Sequence, residues 1–322
     1  MESPFLAVDL DRPDALAGAD VLWGREDRVV VGIAAEPRDP AALPGGAEAC
    51  DVLLTGPSDA PRPWVGRGDP HAAAARLAAV VDSQPAASLA LVQVLRMGSV
   101  LTGADRIAAE SLAYSMLLSG AGFRAWRESA PARTPRPVAE PVLVRREGDA
   151  LHVTLDRPQA RNAMDAGTRD ALCEAFRIAV ADPSVAEVHL RGNGPAFCSG
   201  GDLAEFGTSA DPARAHLIRV HRSPGAQLQR CGPRVTAYLH GACVGAGIEL
   251  PAFAGRVVAA SDTAIRLPEI AMGLIPGAGG TASIPPRIGR HRTAWLALTG
   301  DTLTAERALA WGLVDALAAS AG

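Results

Sequence analysis

The sequence predicts an α/β fold, and three observations support this prediction. Short runs of β-branched and apolar residues alternate with segments of helical periodicity along most of the chain. Small-residue turns, at residues 197–203 and 241–250, each follow a strand and lead into a helix. A proline-rich segment at residues 129–137 marks the best domain boundary. Because sites of α/β folds lie at strand ends, we expect function at the two turns.

The composition is typical of a globular protein with one large domain or two smaller ones. Of its 322 residues, 48% are hydrophobic and 20% are charged. All 31 basic residues are scattered arginines and the net charge is −4, which does not favour nucleic-acid binding. No signal peptide or membrane-spanning run is recognisable. An odd number of cysteines without paired spacing favours free thiols and a cytoplasmic protein.

Before the proline-rich segment, short strands are expected to precede four helices. Apolar and β-branched runs predict strands at 5–10, 28–33 and 51–56. Helical periodicity predicts helices at 71–81, 86–96, 103–118 and 123–128. The third helix is expected to pack through five side chains: Ile107, Leu112, Tyr114, Met116 and Leu117.

After the proline-rich segment, strands and helices alternate. A hairpin is predicted with strands at 142–147 and 151–155, and the next helix, 165–181, has Asp165 as its candidate N-cap. A helix over 213–230 is expected to break at Pro224. Three further strands and a helix complete this part, at 188–191, 234–239, 256–260 and 248–254.

The two small-residue turns have the features of an anion site. Glycine lets the backbone approach a ligand closely, and the first turn of a helix has free N–H groups at the positive end of the helix dipole. Two such turns that face each other would hold an oxyanion between two N–H groups.

Two glutamates are the main candidates for acid–base chemistry. Glu249 follows Ala246 by three residues, so both lie on one face of a helix. Glu269 follows a proline and precedes a glycine-rich loop, which constrains its position. Two fixed carboxylates suit general acid–base work on one water or one C–H group. Taken alone, a glutamate is more often a cap or a solvated side chain.

Four motifs together resemble the enoyl-CoA hydratase/isomerase (crotonase) family in order and spacing: residues 157–164, 196–203, 241–250 and 268–281. The resemblance covers about residues 142–317 and implies a spiral of ββα units. It implies that the N–H groups of Gly201 and Ala246 hold the thioester oxygen of an acyl-CoA. Glu249 and Glu269 match both carboxylates of the hydratases. Ala246 stands where glycine is usual, which narrows the pocket but keeps the N–H group.

The resemblance also implies the remaining site residues and partners. Coenzyme A enters as part of the substrate, no other cofactor or metal is implied, and a homotrimer or a dimer of trimers is expected. The substrate or coenzyme A contacts are expected from ten residues: Arg157, Arg161, Ala163, Cys198, Ser199, Gly200, Asp202, Gly245, Pro268 and Gly277.

A hydro-lyase that adds water to an enoyl-CoA is the favoured activity, because isomerases of this family commonly keep only the carboxylate that matches Glu269. The alternatives are double-bond isomerisation, C–C cleavage, thioester hydrolysis, or a subunit that assembles without turnover.

The order of the parts is unusual for this family. Its late helices normally follow the segment that ends near residue 315, whereas segments resembling them lie at 86–92, 110–118 and 122–126. Residues 10–13 also echo 155–158. We therefore expect residues 1–128 to be a shortened, catalytically empty copy whose helices cap the site, either in the same chain or from a neighbouring subunit. Residues 129–139 are expected to be a linker, and residues 140–322 the catalytic domain. A separate α/β domain is the alternative for residues 1–128.

Overall fold

The strands of this protein form three sheets. The computed structural model describes residues 3–12, 27–43, 46–131, 133–209 and 211–318. The first sheet is fully parallel, and its strands pair in chain order: β1 (Phe5–Asp9), β2 (Val29–Ile33), β3 (Val52–Thr55) and β4 (Val65–Gly66).

The second and third sheets follow the proline-rich segment. The second has the order β13-β10-β8-β7-β6-β5 and is parallel except for the β5–β6 hairpin. Its strands are β5 (Val142–Glu147), β6 (Ala150–Leu155), β7 (Glu187–Gly192), β8 (Val235–Leu239), β10 (Arg256–Ala260) and β13 (Ala316–Ala318). The third sheet has the order β12-β11-β9, from β9 (Ala242–Val244), β11 (Ala264–Arg266) and β12 (Leu303–Thr304). These parallel sheets with intervening helices confirm the α/β prediction.

Four helices precede the linker: α1 (Pro70–Ser83), α2 (Pro85–Met97), α3 (Gly103–Leu118) and α4 (Ala121–Ser129). Prolines occupy the first positions of α1 and α2, where a missing N–H costs nothing, and the Asp69 side chain caps α1. All four lie within two residues of their predicted bounds. The pair α1–α2, bent by 111°, has together the length and apolarity of a membrane span, whereas no single described helix has.

The packing face predicted for α3 is partly wrong. Leu112 and Met116 are each 58% exposed. They are four residues apart and share one side of the helix. Ile107 and Leu117 are buried as predicted. The helix also buries Glu110, Ser111 and Ser115, whose polar groups have partners on the later part of the chain.

Seven helices follow the linker among the described residues: α5 (Ala166–Ala181), α6 (Pro212–His221), α7 (Pro224–Cys231), α8 (Ala246–Glu249), α9 (Gly280–Ile288), α10 (Arg290–Thr299) and α11 (Ala305–Trp311). The Asp165 side chain accepts from the Thr168 N–H at 2.8 Å, so the predicted cap of α5 is confirmed. The predicted break at Pro224 is confirmed, and Ser223 caps α7. The helix predicted to run to residue 254 is wrong, since α8 ends at Glu249 and a 3₁₀ turn follows at Pro251.

Helix α10 joins the two parts of the chain. All residues from Arg290 to Leu298 are buried, and the helix packs against α1, α2, β3 and β4 as well as α9. Arg292 donates to the carbonyls of Trp64 at 3.1 Å and Ala60 at 2.8 Å. Since charged hydrogen bonds and apolar contacts both cross this boundary, residues on either side of the linker share one core.

The helices before the linker also reach the later part of the chain. Helix α3 packs against α6 and α9 in the same chain. The linker itself is mostly exposed. The assignment of residues 1–128 as a shortened copy stays a prediction.

This packing predicts that the two parts stay together when the linker is cut. With residues 133–136 replaced by a protease site, we expect both fragments to co-elute in gel filtration after cleavage. Deletion of residues 1–138 should give insoluble protein, because it uncovers α10.

Separation of the fragments in denaturant provides the control for complete cleavage. A folded, soluble protein that begins at residue 139 would contradict the shared core.

Candidate active site

The two small-residue turns lie side by side. The Cys198 N–H donates to the Ala242 carbonyl at 3.2 Å, and the Val244 N–H donates to the Cys198 carbonyl at 3.0 Å. A Cβ on Gly247 would lie 2.2 Å from that same carbonyl oxygen, so only glycine permits this approach. The two turns therefore form one backbone scaffold.

Two N–H groups in this scaffold are unpaired. Within the described ranges, neither the Gly201 nor the Ala246 N–H donates to another residue. Ala246 is the first residue of α8, where no intrahelical acceptor exists. Gly245 before it has a φ of 50°, a left-handed conformation that favours glycine. Both N–H groups are available to a ligand in the adjoining cavity.

Glu249 is buried at the end of α8. Its side chain crosses to the loop before α9, where Oε2 accepts from the Ala278 N–H at 2.8 Å and the Gly280 N–H at 2.9 Å. Burial raises its pKa, whereas these backbone donors favour the charged form and oppose the rise. The carboxylate is thus fixed by backbone groups alone.

Glu269 lies opposite Glu249 in a 3₁₀ turn that begins directly after Pro268. A Cβ on Gly245 would lie 2.6 Å from Glu269 Oε1 and 3.6 Å from Glu249 Oε1, so the two carboxylates flank one glycine. Glu269 Oε2 is buried and has no hydrogen-bond partner in the described part of the chain. Burial and the charge of Glu249 raise its pKa well above the ordinary range.

A third buried carboxylate comes from α3. Glu110 is 1% exposed and accepts from the Gly279 N–H at 2.7 Å and from the Thr281 N–H and hydroxyl at 2.8 and 2.7 Å. Successive N–H groups of the loop therefore alternate between Glu249 and Glu110. Sequence reasoning missed Glu110 as a site residue, because a lone glutamate on a helix carries no motif.

A cavity of about 920 Å³ opens beside these carboxylates. Gly277 lies against the ring of Tyr114, since a Cβ there would come within 2.4 Å of that ring. Both parts of the chain line the cavity, through Ile107, Tyr114, Leu118, Phe123, Gly201, Ala246, Glu249, Glu269 and Gly277.

Two of the predicted coenzyme A contacts, Arg157 and Cys198, have buried side chains. Arg157 is 1% exposed, and its guanidinium forms ion pairs with Asp165 at 3.0 Å and Asp202 at 3.2 Å. It therefore holds the first turn together and cannot reach a phosphate. The side chain of Cys198 is fully buried, and contact of this turn with coenzyme A stays a prediction.

Five of the other predicted contacts surround the first turn, and Gly245, Pro268 and Gly277 lie near the two glutamates. Arg161 is exposed, and its carbonyl accepts from the Ser199 N–H at 3.0 Å. The Gly200 carbonyl accepts from the Met164 N–H at 2.8 Å, and Ala163 is half-buried nearby. Asp202 lines the cavity. Contact of these residues with coenzyme A stays a prediction.

The raised pKa of the buried Glu110 carboxyl predicts a pH effect on stability. Burial raises its pKa from 4.5 to about 8. Between these values the folded state keeps a proton that the unfolded state has lost, so this group lowers the free energy of unfolding as pH rises. The advantage of wild type over Glu110→Gln should therefore shrink with rising pH, by at most about 1.4 kcal/mol per unit.

Urea unfolding at both ends of this pH range measures the difference. Glu36→Gln, the same change at an exposed loop position, is the control and should show no such trend. An advantage that grows with pH would mean that Glu110 is ionised in the folded protein.

Comparisons with known proteins place this geometry in a family. A sequence model described as enoyl-CoA hydratase/isomerase matches residues 145–321. The chain is 33% identical over 174 residues to a 2,3-dehydroadipyl-CoA hydratase of Escherichia coli (strain K12), covering 54% of this chain and 68% of the relative. It is 33% identical over 176 residues to an enoyl-CoA isomerase/hydratase of Mycosarcoma maydis, covering 52% and 64%.

Solved structures agree with the sequence matches. An enoyl-CoA hydratase from Thermoplasma volcanium GSS1 is 33% identical with a TM-score of 0.50, covering 56% of this chain and 72% of its own. This likeness confirms the predicted crotonase fold. The match spans about two thirds of the curated relatives' length. The chain belongs to the enoyl-CoA hydratase/isomerase family.

Proposed function

We propose that this protein is a hydro-lyase that adds water to the double bond of a 2-enoyl-CoA thioester. One observation carries the proposal: two buried carboxylates flank Gly245, directly beside the free N–H of Ala246. A hydratase needs this combination. A carboxylate must activate the water that adds to C3, and an N–H group must stabilise the negative charge that develops on the thioester oxygen.

The N–H groups of Gly201 and Ala246 bind the thioester oxygen in this proposal. As the hydroxyl adds to C3, negative charge moves onto that oxygen and gives an enolate. The two backbone dipoles are fixed before the reaction, so they need not reorganise when the charge develops. The Ala246 methyl group leaves this N–H in place.

The environments of the two glutamates assign their roles. Glu249 accepts backbone hydrogen bonds that favour its ionised form, so it removes a proton from the attacking water. Glu269 has an unpartnered buried oxygen and a raised pKa, which favour its protonated form, so it delivers a proton to C2. Return of one proton from Glu249 to Glu269 completes the cycle.

Addition of water to a double bond causes no net oxidation or reduction, so the proposed reaction needs no redox cofactor. Coenzyme A enters as part of the substrate. The homotrimer or dimer of trimers and the cytoplasmic location stay predictions.

Glu249→Gln and Glu269→Gln test the assignment. Each variant keeps the side-chain shape but removes a proton-transfer group, so we expect kcat for a 2-enoyl-CoA to fall roughly 100- to 10,000-fold. Binding of a saturated acyl-CoA, measured by calorimetry, should change little. The loss of the conjugated enoyl absorbance follows turnover.

Glu174→Gln is the control, because this glutamate is exposed on α5, outside the cavity. Product mass decides between the alternatives: a gain of one water means hydration, whereas an unchanged mass with a shifted double bond means isomerisation. Unchanged turnover in Glu269→Gln would exclude its acid–base role.

A further inference from the structure

An arginine in the cavity wall has only neutral partners. Arg219 lies on α6 and lines the cavity. Its Nε donates to the Ser111 hydroxyl at 3.1 Å, and its Nη2 donates to the Ser111 carbonyl at 3.3 Å and to the Ser115 hydroxyl. Ser111 and Ser115 are four residues apart on α3, so one helix face orients the guanidinium. Its Nη1 has no partner among the residues that the structure describes.

Tyr114 lies between Arg219 and the reacting groups. The guanidinium carbon of Arg219 stacks over its ring at 4.8 Å from the centroid, and the same ring packs against Gly277 of the glutamate-binding loop. The hydroxyl of Tyr114 has no hydrogen-bond partner in the described ranges. Burial raises the pKa of Tyr114, so the hydroxyl stays protonated and remains a donor.

The charge of Arg219 is incompletely compensated. Burial lowers its pKa, and the through-space attraction of Glu110 opposes this effect. However, both oxygens of Glu110 already accept hydrogen bonds from Gly279 and Thr281. A partly desolvated guanidinium without a paired anion is costly, and a ligand anion would remove that cost.

Two other arginines of the cavity wall differ from Arg219 because each has an anionic partner. Arg169 and Arg222 both form ion pairs with Asp170, each at 2.9 Å. Arg124 and Arg127 also line the cavity without an ion pair among the described residues. Arg219 differs from them because the hydrogen bonds from its Nε and Nη2 to Ser111 and Ser115 hold its guanidinium in place.

We propose that the acyl group of the substrate ends in a carboxylate, which Arg219 and Tyr114 bind at the end of the cavity away from the thioester. The proposal rests on the enoyl-CoA hydratase function proposed above. It adds the substrate class, a 2-enoyl-CoA derived from a dicarboxylic acid. A guanidinium and a phenol hydroxyl suit a carboxylate, because the first is a charged donor of planar geometry and the second adds a neutral donor.

Matched substrate pairs test the proposal. Each pair has the same chain length, from five to eight carbons, and consists of two trans-2-enoyl-CoA thioesters that end in a carboxylate or in a methyl group. We expect kcat/KM for the carboxylate member of at least one pair to exceed that of its methyl partner by roughly 10- to 100-fold. Calorimetric binding of adipyl-CoA and hexanoyl-CoA, which cannot be hydrated, should show the same preference.

Variants on α6 identify the residue responsible. Arg219→Gln should lower kcat/KM for the carboxylate substrate roughly 10- to 100-fold and leave that for the methyl partner nearly unchanged. Arg219→Lys should keep part of the preference, since it retains the charge without the planar donor geometry. The control is Arg214→Gln, the same change at an exposed position of the same helix, which should keep the full preference.

Three outcomes would overturn the proposal. Equal or better activity on the methyl member of every pair would exclude a carboxylate site while leaving the hydratase function intact. An equal loss on both members in Arg219→Gln would mean that Arg219 acts on the coenzyme A part or on the fold. Absence of hydration with every thioester would contradict the proposed function itself, and equal calorimetric affinities for adipyl-CoA and hexanoyl-CoA would then overturn the carboxylate site as well.

Discussion

The site depends on one loop whose successive N–H groups serve two carboxylates. The N–H groups of Ala278 and Gly280 bind Glu249, whereas those of Gly279 and Thr281 bind Glu110. The loop leads into α9, so the positive end of that helix faces both carboxylates. A Cβ at position 280 would lie 2.8 Å from the Glu249 side chain, so a larger residue there would displace this side chain.

This arrangement places three carboxyl groups close together in a buried site. Burial raises the pKa of all three glutamates, and their mutual repulsion raises the values for Glu110 and Glu269 further. Folding tolerates this cost because backbone donors satisfy Glu110 and Glu249, whereas Glu269 keeps one oxygen unpaired. The least satisfied carboxylate is thus the one most easily protonated, which suits a proton donor.

Local signals in the sequence predicted much of the fold. Strand runs, the Asp165 cap and the break at Pro224 depend on neighbouring residues, and they were readable without the structure. Contacts between residues far apart in the sequence could not be predicted from local patterns. Glu110, for example, accepts from the Gly279 N–H, 169 positions later in the chain. The same limit applies to Arg157. An arginine inside a recognised motif can bind a ligand or pair with two aspartates, and only the packing decides between them.

The part of the chain before the linker does more than close the cavity. A helix that only capped the site would need an apolar face, yet α3 places Glu110, Ser111 and Ser115 in polar contacts with the later part. Buried polar contacts are stable only when all partners are positioned, so α3 must be held firmly. Helices α2, α6 and α9, which pack directly against α3, hold it in place. If residues 1–128 are a shortened copy without catalytic residues, this copy still has a function, because Tyr114 on α3 binds the substrate in the proposal above.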